Sequence, residues 1–437
     1  MLRIHLSYFC SYIRILQGIT RFYRIVKVII KLSFFSILVL SIVSFLLPLI
    51  IEKGLNFLRN MQIIYSLLFL VALLSSGCSN GKEQTTPQEI VIASANPMSG
   101  NSSDFGDMKV KAIQLAFDEV NRTGGIDGKK LTLQIGDDAS SPKEAYKLAV
   151  TLAADPKIVA VIGHFNSAST LAARNVYNGA GIPVITDSVN KAITDGTTPY
   201  LFRILATDQF AAEQLAEYAV QKLHHKKFAI IYVNNDYSKD MKEYFREKIR
   251  QLGGEITTME IFFEERTKNF NLELERIKAT KPDAIFFVGY YKEAALIARQ
   301  ARFIGLTAPI ISTDGISSLE LIHLGGEAVE GIRFNGSFHP SIVKNGSDQF
   351  AKDFKARYGK EPDTYAALAY DSAQILIEGI RKNGASRENI YTYLSNLKDY
   401  PGVTGNITFD DKHQVQAKII ILTVKNGQFV PDTLQPE

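Results

Sequence analysis

Residues 158–185 read IVAVIGHFNSASTLAARNVYNGAGIPVI. Within them, residues 158–162 form a short apolar run typical of a buried strand, residues 169–178 have helical spacing, and residues 182–185 form a second apolar run. A strand, a helix and a strand in this order predict a β-α-β unit, whose right-handed crossover makes the two strands parallel. This segment therefore predicts a parallel sheet with helices on its faces.

The same alternation continues on both sides of this segment. Before it, apolar runs predict strands at residues 90–95 and 131–135, and helical spacing predicts helices over residues 107–121 and from Ser141 onward. After it, strands are predicted at residues 200–205, 228–233, 255–262, 284–288 and 309–312. Helices are predicted at residues 208–223, 270–279 and 293–303, and a further helix after the strand at 228–233 is predicted to end at residue 244. Two successive runs of β-α-β units predict an α/β protein with two doubly wound, parallel-sheet lobes.

The charge of the chain is unevenly distributed. Its 437 residues carry a formal net charge of +4, but residues 1–77 contain eight basic residues and one acidic residue, which leaves 41 basic and 44 acidic residues in the remainder. That remainder is mildly acidic and has no electrostatic footprint of nucleic-acid binding. The chain is 46% hydrophobic and 22% charged, so it can bury substantial cores.

Cys78 ends the string LLSSGC, behind an apolar run over residues 63–74. That run is too short to cross a hydrocarbon core of ~30 Å and fits the apolar region of an export signal. Small residues before a cysteine and a polar stretch after it resemble the lipobox of bacterial lipoproteins. The resemblance implies a leader over residues 1–77, a lipidated Cys78 and a lipid-anchored linker over residues 78–88. The alternative is an ordinary cysteine after a short core helix.

An apolar run over residues 32–51 is itself long enough to span a membrane. The basic residues before it would keep its N-terminus in the cytoplasm, and the next apolar segment would then leave Cys78 on the cytoplasmic side. This topology contradicts the lipobox. We therefore expect translation to start at Met61 or at a non-ATG codon such as that of Leu55, and recovery of peptides from residues before 55 would contradict this expectation.

Polar, hydroxyl and aromatic residues follow the predicted strands. They lie at residues 96–106, 163–170 and 186–190 in the first half and at residues 234–237, 289–291 and 313–315 in the second half. Because ligands bind at the carboxyl ends of strands in such sheets, this edge is the predicted ligand site. The sequence has no nucleophile elbow, HExxH or kinase motif, so it does not indicate an enzyme.

These motifs resemble the leucine/isoleucine/valine-type solute-binding proteins of ABC importers, which have the type I periplasmic-binding-protein fold. The matching strings include PMSG (97–100), VIGHFNSAST (161–170), GIPVIT (181–186), NNDYSKDM (234–241), TDG (313–315) and YGKEPDTYAALAYDSAQ (358–374). The resemblance covers about residues 90–409, nearly all of the chain after Cys78.

The resemblance implies two lobes joined by three crossovers, near Thr207, Phe338 and Gly405. The first lobe would comprise residues 89–207 and 338–404, and the second lobe residues 208–337 and 405–432. It also implies a monomeric, exported protein anchored by lipid to the cell envelope, on the periplasmic side of a membrane or the outer face of the cytoplasmic membrane. Such a protein captures an amino acid or a similar small zwitterion or amide by closure of the cleft and presents it to permease and ATPase subunits. No cofactor or metal is implied.

The family pattern assigns roles to individual positions of this sequence. Ser167 matches the serine that binds the ligand carboxylate, and Asp314 matches the acid that faces the α-ammonium. Phe105, Tyr237 and Tyr290 match aromatic positions of the cleft wall. The structural alternatives are an N-cap serine, a turn aspartate before glycine and ordinary core aromatics.

Residues 187–190 depart from the family pattern. Members that bind branched-chain amino acids usually carry small residues here and a threonine at the position of Asn190. Ser188 and Asn190 are nevertheless candidate ligand contacts by position, because a hydroxyl or an amide can bond a carboxylate. Asp187 would repel that carboxylate if it faced inward.

Two other interpretations stay open at this point. Asp137-Asp138 and His224-His225 could suggest metal ligands, although turn, capping and solvated helix-end roles suffice for them. The second concerns function, since a sensor or regulatory lipoprotein with the same fold, for example an activator of a cell-wall synthase, would share these sequence features.

Overall fold

The computed structural model describes residues 89–434 apart from residues 265–266, 343–344 and 416–418. The predicted leader, Cys78, the linker over residues 78–88 and the possible span at residues 32–51 lie outside the described residues. Within the part of the chain that is described, no helix is long and apolar enough to cross a membrane.

The first half of the described chain alternates strands and helices as predicted. Its elements are β1 (Ile90–Asn96), α1 (Ser103–Arg122), β2 (Leu131–Asp137), α2 (Pro142–Ala154), β3 (Ile158–Gly163), α3 (Ser167–Gly179), β4 (Val184–Thr186) and β5 (Leu201–Arg203). The helix predicted to begin at Ser141 starts with a capped first turn at α2. There the Ser141 side chain accepts a hydrogen bond from the Glu144 N–H, and Pro142 occupies the first helical position.

The second half continues the alternation and then returns to the first lobe. Its first elements are α4 (Asp208–Glu217), β6 (Lys227–Val233), α5 (Ser238–Gln251), β7 (Glu255–Phe262), α6 (Asn271–Ala279), β8 (Ala284–Val288), α7 (Tyr291–Phe303), β9 (Ile310–Ser312), α8 (Glu320–Gly325) and β10 (Arg333–Gly336). The last elements are α9 (Ser347–Tyr358), α10 (Thr364–Asn383), α11 (Arg387–Ser395), β11 (Tyr400–Gly402), β12 (Gly405–Ile407), β13 (Ile420–Lys425) and β14 (Gln428–Pro431).

Each lobe is built on one sheet. The first sheet has the strand order β2-β1-β3-β4-β5, and all its pairings are parallel. The second sheet has the order β14-β13-β10-β9-β8-β6-β7. It is parallel from β10 to β7, whereas β13 and β14 join as antiparallel strands. The predicted α/β architecture is confirmed, and the second sheet is mixed at one edge because its last two strands form a hairpin.

Two connections between the lobes follow β5 and β10. The chain leaves β5 at Arg203 and enters α4 at Asp208, and α4 packs on α5 of the second lobe. The chain later leaves β10 at Gly336 and enters α9 at Ser347. Helix α9 lies against the first lobe, because the Tyr358 hydroxyl at its end donates to the Lys111 carbonyl oxygen at 2.9 Å.

The third crossover lies later than the sequence predicts. Residues 405–407 pair with residues 400–402, and both strands belong to the first-lobe side of the chain. Farther along the chain, two backbone hydrogen bonds join residues 413 and 415 to Arg203 of β5. The Arg203 backbone N–H donates to the His413 carbonyl oxygen at 2.8 Å, and the Val415 backbone N–H donates to the Arg203 carbonyl oxygen at 3.2 Å. The chain therefore stays beside β5 through Val415 and passes to β13 only after it, not near Gly405.

Candidate functional site

A small cavity lies where the carboxyl ends of the strands of both sheets meet. Its volume is about 20 Å³, so the two lobes nearly close over it. Its lining comes from loops after strands of both lobes and from the start of α10, namely Phe165, Asn166, Ser167, Asp187, Val189, Tyr237, Tyr290, Asp314, Gly315 and Tyr365. The edge of the sheets predicted from the sequence is thus the edge where the cavity is found.

Ser167 is the first residue of α3 and lies at the first-lobe wall of the cavity. Its side chain is 2% exposed, and its Oγ has no hydrogen-bond partner among the described residues. The residue before it, Asn166, has extended backbone geometry and begins the helix. Because the first N–H groups of a helix lack intrahelical partners and carry partial positive charge, this wall suits an anionic group.

Asp314 lies at the opposite wall, in the second-lobe loop after β9. It is 2% exposed, and its Oδ2 has no hydrogen-bond partner among the described residues. The pKa of Asp314 is raised to about 7, mainly by burial; a hydrogen bond from Tyr365 opposes this rise and the negative charge of Asp187 contributes to it. A cation in the cavity would favour the ionised carboxylate and bind to it.

Two stacked tyrosines form the aromatic wall. The rings of Tyr237 and Tyr290 lie 5.7 Å apart between centroids with an interplanar angle of 22°. The Tyr237 hydroxyl bonds the Thr313 hydroxyl, and the Tyr290 hydroxyl accepts a hydrogen bond from the Asn166 amide at 3.0 Å. Burial raises the pKa of Tyr237 well above its usual value, so its hydroxyl stays protonated. The wall is therefore apolar with neutral polar tips.

Gly315 lets the second-lobe loops approach each other closely. A Cβ atom at this position would lie 2.5 Å from the Gly289 carbonyl oxygen and 2.9 Å from the Tyr237 hydroxyl. Residues 289 and 315 follow neighbouring strands, β8 and β9. The absence of a side chain at Gly315 is thus what allows the ends of these two strands to meet beside the cavity.

The sequence-predicted site residues divide into two groups. Ser167, Tyr237, Tyr290 and Asp314 line the cavity. Phe105 lies behind the wall, where it stacks on Phe165 with ring centroids 4.7 Å apart.

Ser188 and Asn190 are occupied by internal bonds and do not line the cavity. The Ser188 hydroxyl donates to carbonyl oxygens of His164 and Phe165, each at 2.9 Å, and so fixes the loop after β3. The Asn190 amide donates to the Asp236 carbonyl oxygen of the second lobe at 2.9 Å. The structure therefore gives Ser188 a structural role and Asn190 a role between the lobes.

Asp187 does face the cavity, but it has a counter-ion. The Lys109 ammonium lies 2.7 Å from its carboxylate, and both side chains are almost fully buried. Burial raises the pKa of Asp187, and the positive charge of Lys109 lowers it. The repulsion expected from an inward-facing Asp187 is therefore compensated by a lysine from α1, which the sequence did not indicate because the two residues are far apart in the chain.

Sequence reasoning also missed two polar residues of the cavity. Asn166 lies within the string VIGHFNSAST, and its Oδ1 is buried without a partner among the described residues. Tyr365 is the second residue of α10, which follows the second crossover and not a strand, so the strand-end rule does not place it at the cavity. Its hydroxyl interacts with Asp314.

Side chains from both lobes bond across the cleft. Asn101, in the loop before α1, donates to Glu264 at 3.2 Å and to Glu293 at 3.1 Å. The Tyr291 hydroxyl, at the start of α7, bonds the Asp104 carboxylate. Together with the bonds of Asn166 and Asn190, these contacts hold the two lobes in the closed arrangement.

Asp137, one of the residues considered as a metal ligand, is engaged in hydrogen bonds. Asp137 accepts hydrogen bonds from the N–H groups of Met98, Ser99 and Ala139, which is a turn role. Within residues 89–434, leaving aside the undescribed gaps, no group of three or more His, Cys, Asp or Glu residues could hold a metal ion.

A buried network beside the site was not predicted. Asp138 lies 2.6 Å from His164 Nδ1, and His164 Nε2 lies 3.1 Å from the Tyr177 hydroxyl. Burial raises the pKa of Tyr177, and the nearby Asp138 adds to the rise. These three side chains join the end of β2, the end of β3 and α3, so they support the loop that carries Ser167.

The two-lobed α/β fold and its closed interlobe cavity define a ligand-capturing protein. The chain belongs to the family described as "Periplasmic binding protein", which matches residues 89–428. The fold is therefore the type I periplasmic-binding fold, and the protein is a solute-binding protein and not an enzyme. Family membership also implies that it acts outside the cytoplasm.

Known proteins of this kind resemble the chain over most of its length. An "Amino acid binding protein" of Pseudomonas aeruginosa is 32% identical over 332 residues, which covers 74% of this chain and 87% of that protein. The leucine-binding protein LivK of Thermotoga maritima has a TM-score of 0.75 and 32% identity and covers 79% of this chain and 98% of its own. The substrate-binding protein LivJ of Streptococcus pneumoniae, solved with isoleucine, has the same TM-score and identity and covers 80% and 100%.

Proposed function

We propose that the cavity captures an amino acid or a similar small zwitterion or amide for an ABC importer. The observation that carries the proposal is the pairing of two unsatisfied groups in one cavity. Ser167 Oγ on the first lobe and Asp314 Oδ2 on the second lobe are both buried and lack partners among the described residues. A zwitterion supplies the complementary groups, one carboxylate and one ammonium.

The carboxylate would bind at the first lobe. The Ser167 hydroxyl can donate to it, and the N–H groups of the first turn of α3 add further donors and a favourable partial charge. The Lys109–Asp187 pair nearby is neutral overall, so it does not oppose an anion. The ligand would therefore dock first at this lobe.

The ammonium would bind at the second lobe as the cleft closes. Asp314 would accept a charge-assisted hydrogen bond from it, and Tyr237 and Tyr290 would cover the apolar part of the ligand. Closure around a hinge excludes water and strengthens these charged contacts. The volume of about 20 Å³ in the present closed arrangement means that the cleft must open to admit any ligand.

A branched-chain amino acid is the ligand class that the relatives favour. LivK is named as a leucine-binding protein, and LivJ was solved with isoleucine. In this chain the wall beyond the polar ends is formed by Val189, Phe165 and the two tyrosines, which suits a small apolar side chain. Closed and loaded, the protein would present its ligand to membrane permease and ATPase subunits as a monomer.

A lipid on Cys78 would keep the protein beside those subunits. The lipobox-like string and the family's location outside the cytoplasm support this part of the proposal. Metabolic labelling with a clickable fatty acid tests it. Label is expected on the wild type and absent from Cys78→Ala, whereas equal labelling of both would contradict lipidation at this residue.

The alternative of a sensor or regulatory lipoprotein with an unused cleft predicts that Ser167 and Asp314 face away from each other's lobe. Both line one cavity here, which supports capture. A thermal-shift screen of the protein against amino acids, amides and small carboxylates tests the proposal. A ligand at about 100 times its Kd should stabilise the fold by about 2.7 kcal/mol. No hit in the panel, with the same behaviour in Ser167→Ala, would overturn it.

A further inference from the structure

A second and larger cavity of about 470 Å³ lies beside the crossovers. This volume falls within the range of about 300–1,000 Å³ that is typical of small-molecule sites. Its described lining comes from the second crossover (residues 338–341), from the loop before α10 (residues 361–364) and from second-lobe residues, namely Ser317, Leu319, Leu422 and residues 427–430. Both lobes and a crossover thus contribute walls, so its shape depends on the arrangement of the lobes.

Two loops separate this cavity from the ligand cleft. Asp314 and Gly315 line the cleft, and Ser317 in the same loop lines the second cavity. Likewise, Tyr365 lines the cleft, and Thr364 lines the second cavity. An occupant of the second cavity would therefore press on the other side of the loops that carry the ammonium-binding wall.

The walls of the second cavity are mostly apolar and well supported. Phe338 is buried and packs edge-on against Phe350, with ring centroids 5.7 Å apart. Phe429 packs edge-on against Phe334, with centroids 5.0 Å apart. These contacts fix the aromatic walls and leave a preformed space for an apolar body.

The charged groups of the described lining are acidic. They are Glu361 and Asp363, and no lysine or arginine is among the described lining residues. His339 is held neutral by its contacts. Its Nε2 donates to the Phe429 carbonyl oxygen at 2.9 Å, and its Nδ1 accepts a hydrogen bond from the Ser341 backbone N–H at 3.2 Å. Burial also lowers the pKa of His339. Glu361 is exposed and pairs with Lys355 at 2.5 Å, so Asp363 is the acid that makes the cavity complementary to a positive group.

Asp363 is the acid best placed to receive that group. Its side chain accepts a hydrogen bond from the Ala366 N–H at 2.8 Å and caps α10, which fixes the carboxyl at the cavity wall. The pKa of Asp363 is raised to about 7, mainly by burial; the capping bonds oppose this rise and the negative charge of Asp187 contributes to it. A cation beside this carboxyl would favour its ionised form and bind to it.

We propose that this cavity is a second small-molecule site for a compound with an apolar body and one ammonium group, bound with the ammonium beside Asp363. Because both lobes line the site, its occupant binds the closed arrangement and holds the lobes there. By linkage, the closed arrangement in turn favours the occupant. The site goes beyond solute capture and would let a second compound adjust cleft closure.

Calorimetric titration of the full-length protein in lipid nanodiscs with n-hexylammonium tests this site, with 1-hexanol as the uncharged probe. The wild type is expected to bind hexylammonium about tenfold more tightly than hexanol, and Asp363→Asn to lose about this factor, since asparagine keeps the helix cap but not the charge. Val430→Trp fills the cavity and should abolish binding of both probes. Asp411→Asn is the control: it removes an exposed charge and should bind both probes as the wild type does.

Failure of hexylammonium to bind the wild type, or equal binding by Asp363→Asn or Val430→Trp, would overturn the proposal. Dependence on the lobes is tested with Asn101→Ala, which removes bonds between the lobes without touching the cavity. Hexylammonium affinity should fall in this variant. An unchanged affinity would show that the cavity does not need the closed arrangement and would contradict that part of the proposal.

Discussion

The Asn166 side-chain amide donates a hydrogen bond to the Tyr290 hydroxyl at 3.0 Å and thereby joins the two lobes across the cleft. In Tyr290→Phe the amide would lose this acceptor while the ring keeps its stacking on Tyr237. We expect ligand affinity to fall by about 3- to 10-fold, the usual range for one buried neutral hydrogen bond. Isothermal titration with the ligand found by screening measures this change.

The matched control is Tyr358→Phe, which removes a hydroxyl that bonds Lys111 within the first lobe. It should leave affinity unchanged. Equal losses in both variants would mean that the Asn166–Tyr290 bond has no special part in closure.

Gly315→Ala tests the close approach of the second-lobe loops. The added Cβ would lie within 2.5 Å of the Gly289 carbonyl oxygen, so the loops after β8 and β9 must move apart. The tyrosine wall would shift with them, and we expect ligand affinity to fall by about tenfold or more while the fold is retained. Gly196→Ala is a suitable control because nothing lies within 4 Å of its added Cβ, although its positive φ adds local strain. Unchanged affinity in Gly315→Ala would contradict the account of this wall.

Lys109→Met tests the buried ion pair. The substitution leaves the Asp187 carboxylate without its counter-ion, and the free energy of unfolding should fall by about 3–5 kcal/mol. Urea denaturation followed by circular dichroism measures the loss. The double variant Lys109→Met with Asp187→Asn removes both charges and should recover most of the stability. If the double variant is no more stable than the single one, the pair does not act as a compensated unit.

The elevated pKa of Asp314 predicts how ligand affinity depends on pH. With a pKa of about 7, the carboxyl of the free protein is mostly protonated below pH 7 and must lose its proton to bind an ammonium. Affinity should therefore fall by up to about tenfold per pH unit between about pH 7 and pH 5, where the amino acid itself does not titrate. Asp314→Asn should bind weakly and without this slope. A flat profile in the wild type would contradict the assignment.

The raised pKa of Asp314 also predicts how stability depends on pH, and this dependence runs opposite to that of ligand affinity. A buried carboxyl whose pKa is raised on folding stabilises the folded state below its unfolded pKa, and this stabilisation is lost as the pH rises through the folded value. Asp314, Asp363 and Asp371 all have pKa values raised by burial. The ligand-free protein should thus melt at a lower temperature near pH 8 than near about pH 5. Added ligand should reduce this difference.

Strand and helix positions were predictable because each depends on local pattern. The buried strands came directly from apolar periodicity, and the start of α2 at Ser141 came from residue types with clear preferences. Ser167, Asp314, Tyr237 and Tyr290 could be placed at the cavity because strand ends meet at one edge in a doubly wound sheet. The strand-end rule supplied only the segments at this edge, and the family resemblance selected these four residues within them.

The remaining features depend on contacts between distant segments. Lys109 neutralises Asp187 from a helix 78 positions away, and Tyr365 arrives from a helix that follows the second crossover. The third crossover was placed too early because the pairing of Arg203 with residues 413 and 415 leaves no local signal. Ser188 and Asn190 had the right chemistry for a ligand, but neighbouring backbone groups already occupy their polar atoms.

The central claim is that Ser167 and Asp314 hold the two ends of a zwitterion. Its most direct test is equilibrium binding of radiolabelled L-leucine, L-isoleucine and L-valine to the wild type, Ser167→Ala and Asp314→Asn. At least one of the three should bind the wild type, and each substitution should weaken it by about 10- to 100-fold, the range for a hydrogen bond to a charged group. Binding that is equally tight in all three proteins would contradict the account.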